Sequence, residues 1–371
     1  MKKNWITIGI ILIVAFTIVF VIIQTKKATE NIRIGAVLPL SGSSARYGKW
    51  IQEALEIGKE EINSAGGING KKLEIIYEDD QADPTIATNA TRKLISGDKV
   101  PLIFGSWASS AVLAQAPIAE QTHTVLMGEA ISPKIRDAGD YIFRIQPDAR
   151  YYLRKFVPFI YKDLNLRKIS LFHVNNDFGV DQSDVFKKEF ESLGGTILSN
   201  DGYEQDATDF KTELTKIKAK NPDGIFCPAY TEIAIILKQA KELGLSQQFL
   251  ASVPFENLDI LKAAGNAVNG VIYPYHFDSN STDPIIKEYQ KKYSLKYGRQ
   301  SEGFAALAYD GIRIIGNMLK ECGSNPSCIK DKLYKVTDFP GVTGPTTFDD
   351  HGDVVKQIII KTVRDGNFVR Y

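Results

Sequence analysis

From residue 32 onward, short apolar runs alternate with longer stretches whose apolar positions recur at helical spacing. "IRIGAVLPL" reads as a buried strand, and "KWIQEALEIGKEEINSAGG" as an amphipathic helix stopped by glycines. "KKLEIIYEDD" is a strand ending in acids, and in "DPTIATNATRKLISG" Asp83 is placed to cap a helix whose first turn holds Pro84. "VPLIFG", "SSAVLAQAPIAEQT" and "VLMG" continue as strand, helix and strand. Near residue 148 the alternation restarts, with strands in "KISLFHV", "TILSNDGY", "PDGIFCPAY" and "QQFLASV". Helices in "GVDQSDVFKKEFESLGG", "ATDFKTELTKIKAKN" and "TEIAIILKQAKELGL" separate them. Two further helices, around "DPIIKEYQKKYSLKYG" and "GFAALAYDGIRIIGNMLKEC", precede an acidic glycine turn, an alternating strand and a hairpin. Strand–helix–strand order predicts parallel sheets covered on both faces, so the fold class is α/β with two doubly wound lobes. Ligands of such sheets sit beyond the carboxyl ends of the strands. "LPLSG", "FGSWASS", "LMGEAIS", "FHVNNDFG", "CPAYTE" and "LASVPFE" occupy that position.

The amino terminus follows a different pattern. Trp5 to Ile23 is an uncharged run flanked by Lys2, Lys3, Lys26 and Lys27, long enough for a helix of ~28 Å. No small-x-small cleavage site and no cysteine follows it closely. The reading is an uncleaved signal-anchor over 1–29, one N-terminal transmembrane helix, with a cleaved signal peptide as the alternative. Either places the rest of the chain on the extracytoplasmic face of the cell membrane. That compartment permits a disulfide between Cys322 and Cys328 in the turn-rich "ECGSNPSCIKD", while Cys227 in "GIFC" reads as a packed thiol. A formal net charge of +1 argues against a polyanion-binding surface, hence against nucleic acid as a partner.

Candidate chemistry is sparse. "LPLSGSSARYGKW" has the glycines and lysine of a phosphate loop, but five residues separate Gly42 from Gly48 and Trp50 stands where a metal-binding hydroxyl belongs. The four histidines form no HExxH pair, "GSWASS" lacks the glycines of a nucleophile elbow, and "YEDDQADP" lacks the glycine and final Glu of a calcium loop. No catalytic residue, metal site or cofactor is expected. Binding without reaction is the favoured reading.

The words "IGAVLPLSG", "EINSAGGINGKKLEIIYEDDQADP", "APIAEQ", "FRIQP", "ILKQAKELGL", "GFAALAYDGI" and "GVTGPTTFDDHGDVVK", spread over about residues 32 to 366, resemble the periplasmic solute-binding proteins of branched-chain amino-acid ABC transporters. The resemblance implies the type I periplasmic-binding fold, with two lobes joined by three crossovers near residues 148, 276 and 343. One lobe would hold 30–148 and 277–342, the other 149–276 and 343–371. It implies a small amino acid or related carboxylate as ligand and an ABC permease as partner. By position it carries Tyr47 to an aromatic wall of the cleft, and Ser109, flanked by Trp107, Ala108 and Ser110, to the ligand carboxylate at a helix start. Phe178 and Tyr230 match aromatic positions of the second lobe, and Phe304 matches an apolar contact.

Two positions depart from the family. Ile131 in "GEAISP" stands where a threonine meets the ligand, after Glu129 and Ala130, and Val253 stands where an acid meets the ammonium, with Glu256 three residues on. Either Glu129 replaces the missing cation partner, or the ligand has no α-ammonium. A ligand-sensing receptor domain, which would need a signalling partner, is the alternative function; an enzyme lacks any motif.

Overall fold

The computed structural model describes residues 31–371. The run Trp5 to Ile23 lies outside the described residues, and among those described no helix is long and apolar enough to cross a membrane.

Strand β1 (Ile32–Leu38) is buried at every position but Arg33, as befits a strand paired on both sides and covered on both faces. It leads into α1 (Ala45–Ser64). The intervening turn needs its glycines for geometry: Gly42 has φ +79°, and a Cβ on Gly48 would sit 2.0 Å from the Pro39 carbonyl oxygen. The rest of this half is β2 (Leu73–Asp79), α2 (Pro84–Ser96), β3 (Leu102–Phe104), α3 (Ser109–Gln121), β4 (Val125–Gly128) and β5 (Ile142–Arg144). Asp83 caps α2 as expected, accepting from the Thr85 and Ile86 N–H groups. All neighbours in the resulting sheet, order β2-β1-β3-β4-β5, run parallel.

The second half opens with α4 (Ala149–Lys162), capped by Asp148, then β6 (Lys168–Val174), α5 (Asp177–Ser192), β7 (Thr196–Tyr203), α6 (Lys211–Lys220), β8 (Gly224–Cys227), α7 (Ile233–Glu242), β9 (Gln248–Ala251), α8 (Leu258–Ala264) and β10 (Ile272–Tyr275). Leu153, Phe156, Val157 and Ile160 of α4 join Phe186 and Phe190 of α5 in a core against Leu171, Phe226 and Leu250. The chain then supplies α9 (Pro284–Tyr297), α10 (Gly303–Cys322) and α11 (Pro326–Leu333). α10 lies close along α1: a Cβ on Gly58 would meet Ile312 at 2.2 Å, and one on Gly316 would meet Ile62 at 2.6 Å. Cys322 and Cys328 are joined in a disulfide between α10 and α11.

Strands β11 (Ile359–Arg364) and β12 (Asn367–Arg370) complete a second sheet, order β12-β11-β10-β9-β8-β6-β7. Its last three strands pair antiparallel, so the parallel order ends at this edge, where the sequence pattern places the closing hairpin. A hairpin needs no crossover helix, so the closing strands can join the sheet edge directly. Two sheets wound in this way, with the chain passing repeatedly between them, constitute an α/β type I periplasmic-binding fold.

Before β11, residues 349–353 pack against the end of β5. The Arg144 N–H donates to the Gly352 carbonyl at 2.8 Å, and its wholly buried guanidinium meets Asp353 at 2.5 and 2.6 Å. Arg136 joins Asp349 at 2.7 Å.

Candidate functional site

Every loop that follows an inner strand carboxyl end points toward the space between the two sheets. The loop after β1 and the first turn of α1 carry Tyr47; the β3–α3 turn carries Trp107. Glu129 and Ile131 follow β4, and Gln146 follows β5. From the other lobe come Phe178 at the start of α5, Tyr230 after β8, and Val253 and Pro254 after β9. Phe304 begins α10.

These groups close around a narrow cavity lined by Trp107, Glu129, Ile131, Gln146, Phe178, Tyr230, Val253, Pro254 and Phe304. The aromatic rings form a continuous series from one lobe to the other. Tyr47 stacks on Trp107 at 4.2 Å, Trp107 meets Tyr230 at 4.9 Å, and Tyr230 stacks on Phe178 at 4.5 Å. Tyr47 thus backs the cavity wall, and its hydroxyl donates to the Pro254 carbonyl across the cleft at 2.9 Å.

Within this apolar shell stand two polar side chains, Glu129 and Gln146, each 1% exposed. Neither carboxylate oxygen of Glu129 has a hydrogen-bond partner, and Gln146 Oε1 has none either. Burial pushes the Glu129 carboxyl well above the usual carboxylate range. Glu256 offers no substitute, because it accepts from Tyr273 and Lys361 at 2.6 Å each.

Ser109 opens α3 and is buried, its hydroxyl accepting from the Ser132 N–H at 3.3 Å. The N-cap, Ala108, supplies no side-chain hydrogen bond, which leaves the first-turn N–H groups of α3 without a protein side-chain cap. Ser110 is turned to the rim, where its hydroxyl donates to Asp177 at 2.9 Å. Ala130 is buried beside the cavity without lining it.

Contacts at the rim hold the lobes together. Lys134 reaches Asp177 and Asp181 at 2.9 Å, and the Ser132 hydroxyl donates to Asp181. Arg46 meets Asp259 at 2.7 Å. Although burial raises Asp177, hydrogen bonds from Lys134 and Ser110 bring its pKa below the ordinary value.

Of the residues singled out from sequence, Trp107, Glu129, Ile131, Phe178, Tyr230, Val253 and Phe304 share the cavity; Tyr47, Ala108, Ser109, Ser110 and Ala130 surround it. Gln146 and Pro254 were missed. Gln146 lay in plain view in "FRIQP", but β5 is three residues long and its loop was not recognised as a strand end.

The family profile described as periplasmic binding protein matches residues 31–367. The leucine-, isoleucine-, valine-, threonine- and alanine-binding protein of Pseudomonas aeruginosa is 27% identical over 338 residues, covering 89% of this chain and 88% of its own. Among solved structures, a leucine-binding protein from Thermotoga maritima superposes with a TM-score of 0.87 at 26% identity, covering 92% of this chain and 97% of its own. The branched-chain amino-acid transporter substrate-binding protein of Streptococcus pneumoniae, in complex with isoleucine, gives 0.86 at 28% identity, covering 91% and 98%. With nearly its whole described length matched by that profile, and with a cleft between two doubly wound sheets, the chain belongs to the periplasmic binding protein family.

Proposed function

We propose that this chain is an extracytoplasmic solute-binding protein of an ABC importer that closes on a small apolar or aromatic amino acid and delivers it to a permease. The observation that carries the reading is the carboxyl of Glu129, sealed in an aromatic cavity between the lobes with no partner for either oxygen. Burial without a partner holds that carboxyl in its neutral form, and a ligand ammonium would stabilise the ionised one. The uncapped start of α3 at Ser109 offers N–H donors to a carboxylate at the ligand's other end. Ile131 and Val253 leave Glu129 as the cation partner in place of the family's threonine and acid. The names of the relatives, which bind leucine, isoleucine or valine, support the same ligand class.

In this reading one lobe comprises the first sheet with α9 to α11, and the other the second sheet. Contacts of residues 349–353 with β5 favour a third crossover near 354–358 rather than 343.

Calorimetric titration with leucine, its keto acid 4-methyl-2-oxopentanoate and benzoate tests the ligand class. Leucine is expected to bind most tightly, and Glu129→Gln to weaken it by about 1–3 kcal/mol. Tighter binding of the keto acid, or indifference of leucine to the substitution, would sink the reading. Delivery predicts that cells lacking the chain lose uptake of leucine; a sensing role would leave uptake intact. The run Trp5 to Ile23 further predicts that the full chain stays in the membrane fraction after a high-salt wash. Recovery of a soluble form starting near residue 28 would refute the anchor.

A further inference from the structure

Gln146 does not stand alone behind the cavity wall. Its Nε2 lies 3.5 Å from the Tyr152 hydroxyl, which lies 2.7 Å from His276 Nδ1. Tyr152 belongs to α4 and is 1% exposed; His276 follows β10 and is 4% exposed. The other ring nitrogen, Nε2, is buried without a partner. Burial lowers the His276 pKa to about 3, so the ring is neutral and carries one proton. With that proton on Nε2, Nδ1 accepts from the Tyr152 O–H. The tyrosine oxygen then accepts from the Gln146 amide N–H, and the amide oxygen is left for the cavity.

This polarity matters because of what faces it. Once ionised beside a cation, Glu129 presents two acceptors and Gln146 a third, all without a protein partner and all on side chains that line one cavity. A lone carboxylate recognises any cation. Three acceptors in one cavity equal in number the three N–H bonds of a primary ammonium, and a secondary ammonium leaves one of them empty. Stranding one buried acceptor is what gives hydrogen-bonding sites their discrimination.

We infer that Gln146, oriented by the Tyr152–His276 pair, is a specificity-determining residue that combines with Glu129 into a cradle for a primary ammonium group. The inference rests on the amino-acid reading above and adds to it a ligand class: primary amines, with N-alkylated amino acids and deaminated acids rejected.

The test is calorimetric titration of leucine, N-methylleucine and 4-methyl-2-oxopentanoate against the wild-type chain, Gln146→Met and Tyr152→Phe. Methionine keeps the volume of glutamine and removes the acceptor, and thermal melting checks that each variant folds. Wild type should prefer leucine over N-methylleucine by tenfold or more. In Gln146→Met, leucine should weaken at least tenfold, the preference should shrink to within threefold, and the keto acid should bind no worse. Tyr152→Phe, which frees the amide to turn, should move leucine about threefold in the same direction. A merely structural role for Gln146 would weaken all three compounds alike, and that result overturns the proposal. So does a wild type that binds leucine and N-methylleucine equally, which decides the matter even if Gln146→Met fails to fold. If the wild type binds the keto acid and neither amine, the amino-acid reading itself is wrong.

Discussion

Glu129 follows a buried strand, in a position where a carboxylate is costly, and its cost has a measurable signature. In the ligand-free chain burial holds the carboxyl protonated far up the pH scale. An ammonium beside it favours the ionised form and draws the pKa back down. Between the two values, binding must expel a proton and affinity must rise with pH; above the ligand-free value it levels off. Leucine titrations near pH 6 in two buffers of different ionisation enthalpy should therefore report proton release, and Glu129→Gln should abolish it. Binding without proton release in the wild type would show that Glu129 does not meet the ligand's cation. The same shift acts on folding with a definite sign. A carboxyl whose folded pKa exceeds the unfolded value of about 4.3 contributes fully below that value. Its contribution is lost as pH rises toward the folded pKa, so the ligand-free wild type should lose stability over that window relative to Glu129→Gln. The neighbouring Asp177 behaves oppositely: Lys134 and Ser110 reward its charge, and its contribution to closure is lost only in acid.

At the scale of elements, the long strands and helices were legible because their apolar periods are long. β1, α1, α2, β6 and α10 appear where the pattern puts them, with glycines following α1 and α10 and Asp83 capping α2. The elements that escaped are short or disguised. β5 has three residues, too few to show a period, and α11 hides in a run of Asn, Pro and Ser that reads as turn until Asn325 is seen capping it. α4 carries Pro158 and three tyrosines amid its apolar positions, so the restart near residue 148 was visible while the helix was not. The site inherits this unevenness. Loops after recognised strands yielded Trp107, Glu129, Phe178 and Tyr230, whereas Gln146 was lost with β5. That small strand also closes a distant contact, since Arg144 at its end is buried against Asp353, over two hundred positions away. Breaking one half of a buried ion pair leaves the other charge stranded, at about 3–5 kcal/mol. Asp353→Ala should lose close to that amount in chemical denaturation; a loss below about 1 kcal/mol would mean that Asp148, 3.6 Å from Arg144, can take over.

For the whole molecule, the described arrangement is the closed one: Tyr47 reaches Pro254, Lys134 reaches Asp177 and Asp181, and Arg46 reaches Asp259, all across the cleft. Half-exposed ion pairs are worth only about 0.2–1 kcal/mol each, so they bias closure without locking it. A ligand touching both lobes then shifts the balance by its extra contacts in the closed form. Arg46→Ala combined with Lys134→Ala should weaken leucine several-fold and enlarge the radius of gyration measured by X-ray scattering. Unchanged affinity together with unchanged scattering would show that the rim pairs play no part. The aromatic series gives the same movement an optical readout. Of the two tryptophans among the described residues, Trp50 and Trp107, only Trp107 is seated against a ring of the opposite lobe, Tyr230. Trp50 sits buried within α1 against Tyr47 of its own helix. When the cleft opens, one face of the Trp107 indole trades a tyrosine for water while Trp50 keeps its surroundings. Emission should therefore shift to longer wavelength on opening and back on ligand addition, and Trp107→Phe should silence the change, so that unlabelled protein reports its own closure in a fluorimeter.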